Sequence, residues 1–288
     1  MQGGPGLLFC KKRSAISTLT TVLIVLIVVA LVVGVVVGVF ISGWFWFRPS
    51  GQIVGSGNLD TEKMDFSDFR IVEVGWAFEV EITQSSSYSV SITADDNLFD
   101  YIEASKTGDM LTIGLKPRYG YQWPLTLRAE ITMPDLYELK LSGATHGTVE
   151  GFNSSQKIVL GISGASTLDM VDISAGEVDI DISGASRVTG GITASGDAQL
   201  TLSGGSRITK LDGEANDLLI NADGGSHLDL SDFTVHNANV ILSGASRATV
   251  NLDGRLDADL SGASQLLYIG EPTMMDINTS GGSTVSKK

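Results

Sequence analysis

The chain has 288 residues, with 34 glycines, 6 prolines, a single cysteine and a formal net charge of −14. The acidic balance excludes a general nucleic-acid binder, whose surface is basic. A lone cysteine excludes an intrachain disulfide framework, and frequent glycine with little proline indicates many turns rather than collagen or a proline-rich linker.

Residues 1–14 form a short basic head containing Lys11, Lys12 and Arg13. Residues 22–41 follow without a charge, and about 20 apolar residues suffice to cross a hydrocarbon core. Trp44, Phe45 and Trp46 then stand at the depth of an interfacial aromatic belt. Residues 15–47 therefore read as one transmembrane α-helix with its flanks, in contact with membrane lipid. The positive-inside rule puts the N-terminus in the cytoplasm and the remainder outside, as in a single-pass protein of the cell membrane. A cleaved secretory signal would have a shorter apolar stretch and a small-residue cleavage site, which "SGWFWF" lacks. The basic stretch also resembles the class III leaders of archaeal pilin-like proteins, whose processing near Ser14 would leave the helix in place. Gly34 and Gly38 have the spacing that lets two membrane helices approach closely; the general frequency of glycine in such helices is the favoured account of a lone pair.

Residues 48–60, rich in Gly, Ser and Pro, read as a flexible stalk. Residues 61–288 read as one β domain. Its first part, 61–135, shows period-two apolar runs such as "RIVEVGWAFEVEITQ" and "LTLRAEITMP", which predict capping strands. A short helix is expected within 95–105, with aspartates capping its first turn and Leu98, Tyr101 and Ile102 on one face.

Residues 136–288 repeat. Ser142-Gly143-Ala144-Thr145 returns as Ser163-Gly164-Ala165-Ser166, Ser183-Gly184-Ala185-Ser186 and Ser203-Gly204-Gly205-Ser206. It continues as Asp223-Gly224-Gly225-Ser226, Ser243-Gly244-Ala245-Ser246, Ser261-Gly262-Ala263-Ser264 and Ser280-Gly281-Gly282-Ser283. A period of about 20 residues signals a solenoid. Apolar pairs precede each copy (Leu160/Ile162, Ile180/Ile182, Leu200/Leu202), and Leu168, Val188 and Ile208 resume the series after it. Each copy then reads as strand, corner, strand and a looser second turn such as Ser195-Gly196-Asp197. The corner glycine supplies positive φ. The next residue is small because corners stack about 4.8 Å apart, and the closing Ser or Thr is expected to form a hydroxyl ladder between rungs. The predicted fold is an all-β, parallel solenoid of about eight short rungs with an N-terminal β cap. An antiparallel sandwich would not hold a turn motif at constant spacing.

"VEVGWAFEVEITQ", "SVSITADDNLFDYIE", "LTIGLK", "ITMPDLYELKLSGAT" and the serial "LSGAS" corners, in that order, resemble the putative auto-transporter adhesin, head GIN domain family of bacteria and archaea. The resemblance runs from about Phe69 to the C-terminus. It implies a right-handed solenoid on the cell surface and brings no catalytic residues.

No catalytic constellation, cofactor or metal site is indicated. Asp179/Asp181 and Asp257/Asp259 are several rungs apart, and His146, His227 and His236 are scattered without partners at ligand spacing. Asn153 and Asn278 head glycosylation sequons on the side expected to be outside. The residue after each corner should point outward and stack, which aligns Arg187, Arg207, His227 and Arg247 beside Thr189, Thr209 and Thr249. Two readings stay open: an ordinary solvated face, or a strip for an acidic or hydroxyl-rich polysaccharide. The chain as a whole reads as a membrane-anchored surface module for adhesion, binding a glycan or an envelope protein. The alternative is a structural or signalling envelope component that self-associates as a homo-oligomer. An enzyme is not expected.

Overall fold

The computed structural model describes residues 52–288. The predicted membrane segment, with Gly34 and Gly38, lies outside the described residues; among the described residues no helix is long and apolar enough to cross a membrane.

The domain is an all-β solenoid. Apolar residues before the corners stack in parallel register: Leu141 on Ile162, then Ile182, Leu202, Ala222, Leu242 and Leu260. After the corners, Leu168, Val188, Ile208, Leu228, Ala248 and Leu266 form a second column. Nearly all these side chains are fully buried, so period-two alternation along each rung becomes a continuous apolar core along the stack.

The corners are built from backbone. Their glycines have φ between 69° and 77°, a region in which a Cβ is strained. Each corner also donates to the one before it: Ala165 N to Gly143 O at 2.8 Å, Ala185 N to Gly164 O at 2.8 Å, Gly225 N to Gly204 O at 2.7 Å. A Cβ at Gly184 would stand 2.3 Å from Gly164 O. Glycine is therefore required twice over, by its own φ and by the rung beneath. The expected hydroxyl ladder is not what the closing residue makes. Thr145, Ser226 and Ser264 turn inward and donate to the carbonyl three residues back, at 2.8, 2.7 and 2.8 Å. The rung-to-rung bonds are made chiefly by main-chain groups. Ser206 Oγ also donates to Ile182 O at 3.2 Å and Ser166 Oγ accepts from Thr145 N at 3.3 Å, while the buried hydroxyls of Ser186, Ser246 and Ser283 have no hydrogen-bond partner among the described residues.

The second turn stacks likewise, with Gly196 N donating to Gly176 O at 2.7 Å and Gly196 O accepting from Asn216 N at 2.8 Å. A further bend, not marked in the sequence pattern, falls within the strand after the Ser-Gly corner. There Asp172, Gly190 and Lys210 take positive φ, and the pairing shifts register between Met170 and Ile173 and between Val188 and Gly190.

The capping region conceals another corner. Ile71–Val74 and Glu79–Gln84 pair in parallel with Glu138–Leu141 and His146–Glu150, which sets Gly75-Trp76-Ala77-Phe78 over Ser142-Gly143-Ala144-Thr145. The run "RIVEVGWAFEVEITQ" is thus two strands and a corner, with Trp76 in the glycine position at φ 64° and Ala77 at 61°. Met110–Leu115 and Leu127–Met133 lie beneath, again parallel. Beyond them pairing turns antiparallel: Ile102–Thr107 on Met110–Leu115, Ser89–Asp95 on Leu127–Met133, and Leu59–Met64 outermost. The outermost strand carries Asp60, Glu62 and Lys63, charges that discourage pairing with another chain.

Two expectations are corrected here. The short helix is a 3-10 turn, Asp96–Tyr101, and Asp95 does not cap it. The buried Asp95 carboxylate instead accepts from Gly57 N at 2.8 Å and Thr126 N at 2.9 Å. The stretch read as a flexible stalk is folded from Gln52 onward, because Gln52–Val54 pairs with Gly120–Gln122 and the Gly57 amide finds that buried acceptor.

Ile182→Asp, which puts a carboxylate into the stacked core without a partner, is expected to destabilise the domain by about 3–5 kcal/mol. Gly184→Val should also lower the melting temperature sharply, whereas Ala185→Ser, at an exposed position, should leave it within a degree or two. Circular-dichroism melts of the three variants check this, and equal melting of all three would contradict the register.

Candidate functional site

Stacking in register brings the residues after successive corners into one outward column. Arg187 pairs with Arg207, Arg207 with His227, His227 with Arg247, and Arg247 with Gln265. Neighbouring strands lie about 4.8 Å apart, so the column sets four basic side chains at the closest spacing a sheet allows. Among the described residues no ion pair engages Arg187, Arg207 or Arg247. Arg247 donates through Nε to Gln265 Oε1 at 2.8 Å, and all three arginines are exposed.

His227 is half-buried within this column. Burial holds its imidazole below the usual histidine range; Arg247 and Arg207 press it the same way, against the opposing pull of Asp229. Asp229 in turn is held below the usual carboxylate range, chiefly by the Ser231 hydroxyl, which donates to it at 2.6 Å. The column is therefore cationic at its arginines, and burial together with those arginines biases its histidine toward the neutral form.

The threonines do not form a parallel column. Thr189 is half-buried and donates to Asp169. Thr209 sits beside the Lys210 bend, where the register slips. Thr249 is only 6% exposed. It lies where the chain takes a shorter path: pairing jumps from Leu230–Val250 directly to Thr234–Asn251. Sequence alternation could not reveal this, because the shortening is taken up away from the corner.

His146 and Thr167 head the column on the capped side. They share a hydrogen bond, and His146 Nε2 lies 3.7 Å from Asp169. His236 faces Asp253 at 3.0 Å in a separate surface notch of about 530 Å³, together with Glu214, Asn216 and Asn251. Among the described residues no three acidic, histidine or cysteine side chains converge as metal ligands would. Asn153 and Asn278 are both exposed, the first bridging to Ser174 and the second within the strand Thr273–Thr279.

A second surface feature escaped sequence reasoning. Between Leu115 and Leu127 the chain leaves the stack, and Tyr119, Tyr121 and Trp123 alternate along this excursion. Tyr101 packs edge-on against Tyr119 at 4.9 Å, and Trp76 against Tyr121 at 6.2 Å. The only sequence signal is the local density of aromatics.

The architecture is that of a β-solenoid whose flat outer faces and end cap, rather than a deep cleft, carry the distinctive side chains. The chain belongs to the family described as putative auto-transporter adhesin, head GIN domain, which it matches over residues 68–272. Two solved structures share its fold with a TM-score of 0.77, 19% identity, 83% of this chain and 100% of theirs. One is titled a putative adhesin from Parabacteroides merdae, the other a putative lipid binding protein from Parabacteroides distasonis. A putative adhesin from Bacteroides fragilis aligns at 0.64 and 17% identity, over 82% of this chain and all of that one. No curated protein matches the chain.

Arg247→Ala should raise the His227 pKa toward the ordinary value, and by more than Arg207→Ala does, while Asp229→Asn should lower it further. A pH titration of the imidazole resonances by NMR reads all three directions.

Proposed function

We propose that the protein is a membrane-anchored adhesin-like module that holds its solenoid at the cell surface and binds an acidic polymer along the Arg187–Arg207–His227–Arg247 column. The family supports a surface role. The observation that carries the ligand class is the in-register stacking of arginines free of ion pairs within the described domain, on a chain of net charge −14. Like charges on neighbouring rungs repel one another, at most about 1 kcal/mol in water for the adjacent Arg187 and Arg207. A polymer with repeating carboxylates or sulfates relieves that repulsion, each guanidinium engaging one anionic group through paired N–H donors.

The anchoring part rests on residues 15–47, with the basic head inside and the β domain outside. Protease added to intact cells is expected to release the domain while an N-terminal tag stays protected; a freely secreted product would refute the tether.

The ligand part is tested with the full chain and an acidic polysaccharide such as polygalacturonate. Changing Arg187, Arg207 and Arg247 together to Ala should weaken binding by more than about a hundredfold with little change in melting temperature. An anion beside His227 favours the imidazolium, so binding takes up a proton. Affinity should rise as pH falls through the histidine pKa of the complex, which the anion raises, and level off below the free-state value, which lies under the ordinary 6.5. Undiminished binding by the triple variant returns the column to ordinary surface.

A further inference from the structure

The feature left unused is the aromatic group at the capped end of the stack. Trp76 occupies the corner position that glycine holds in all eight Ser-Gly-type copies, and it does so at φ 64°. A non-glycine residue held there costs of order 1–2 kcal/mol, and such strain concentrates at binding and switching sites. Burial of the indole does not explain its retention, because Trp76 is 43% exposed. Its ring lies over Gly114, where a Cβ would meet Trp76 Cδ1 at 2.9 Å, and against the edge of Tyr121. Tyr121 is braced by donating to Lys116 O at 2.7 Å, and burial raises its phenol pKa, with Tyr119 and Tyr101 adding to the shift. Tyr119 and Trp123 flank it two residues either way, 46% and 48% exposed. Tyr121 lies within the strand Gly120–Gln122, with Tyr119 and Trp123 at the bends on either side of it. The result is two braced ring pairs, Trp76–Tyr121 and Tyr101–Tyr119, with the exposed Trp123 next along the chain.

We infer that this aromatic face is a lipid-contacting surface that seats the cap on the outer face of the membrane; it rests on the anchoring reading above. Rings of this amphipathic kind are favoured at the level of lipid headgroups. The chain supplies the second argument. Gln52–Val54 pairs with Gly120–Gln122, the strand that bears Tyr121. Only residues 42–51 separate that pairing from the end of the apolar run at Ile41, a contour of at most about 35 Å. The described chain thus begins at the aromatic strand, and a tether of that length leaves the exposed indoles within reach of lipid. A glycan stacked on the same rings is the competing occupant, and it has no such argument from connectivity.

The test uses the full chain with Trp44→Phe and Trp46→Phe, which leaves Trp76 and Trp123 as its tryptophans. It is reconstituted into phosphatidylcholine vesicles with or without bromine on the shallow acyl carbons. Vesicle flotation reads anchoring, and tryptophan emission reads seating. The expected result is a chain that floats and loses about half its emission to the brominated lipid, as rings at interfacial depth should. A further Trp123→Phe change should leave part of that quenching, from Trp76. A chain that floats with unquenched emission overturns this proposal alone. One that does not float overturns the anchoring reading and this proposal with it. Emission that responds to soluble polysaccharide but not to brominated lipid assigns the face to a glycan and likewise overturns it.

Discussion

The structure depends on one contact: the amide after each corner glycine donating to the glycine carbonyl of the rung below, at 2.7–2.8 Å from the Ala165–Gly143 pair to the Gly282–Gly262 pair. From Gly164 onward it leaves no volume for a side chain between successive corners, so those glycines tolerate no replacement and the rungs cannot slide by one residue. Sliding would also turn every inward apolar side chain out. Register along the stack is therefore fixed at the corner and propagates from there into both flanking strands.

That rigidity dictates what the outer faces present. A residue placed after one corner is stacked on its equivalents whether or not their charges agree, which is why Arg187, Arg207, His227 and Arg247 stand in file. The fold has no freedom to separate them, and the arginines add to the burial that holds the His227 imidazole below the usual histidine range. The core columns constrain the inside and the corners constrain the backbone. Outward positions are left as the places where composition varies without altering the fold.

The same logic explains which parts were legible in sequence. Eight corners announce themselves because steric demand keeps Ser-Gly-small-Ser recognisable, and the inward columns follow by counting in twos. The corner at Gly75–Phe78 was hidden because Trp76 fills the glycine position, and its parallel partners are far along the chain. The Asp172, Gly190 and Lys210 bends share no residue type, so no motif marks them. Thr249 fails for a related reason: a spacing change detectable between Ser243 and Ser261 does not say on which side of the rung the residues are lost. Asp95 looked like a helix cap from its neighbours, yet its two donors, Gly57 and Thr126, are remote in sequence.

Rung length and rung register are separable in this architecture, and the separation bears on where partners bind. The segment from Ser243 to Ser261 is two residues shorter than the one from Asp223 to Ser243, yet Ala263 N still reaches Gly244 O at 2.7 Å. The deficit is absorbed at the far bends. Leu230 and Thr234 face the adjacent residues Val250 and Asn251, and beside this step lies the notch holding His236 and Asp253. At the capped end, residues 116–126 leave the stack altogether, while Met110–Leu115 and Leu127–Met133 keep parallel register on either side. Insertions and deletions thus alter relief at bends and ends but leave the outward columns in file. A repeating ligand matches the columns, whose spacing the backbone sets. A single, non-repeating contact such as a membrane surface matches the cap, where the stack's periodicity is broken.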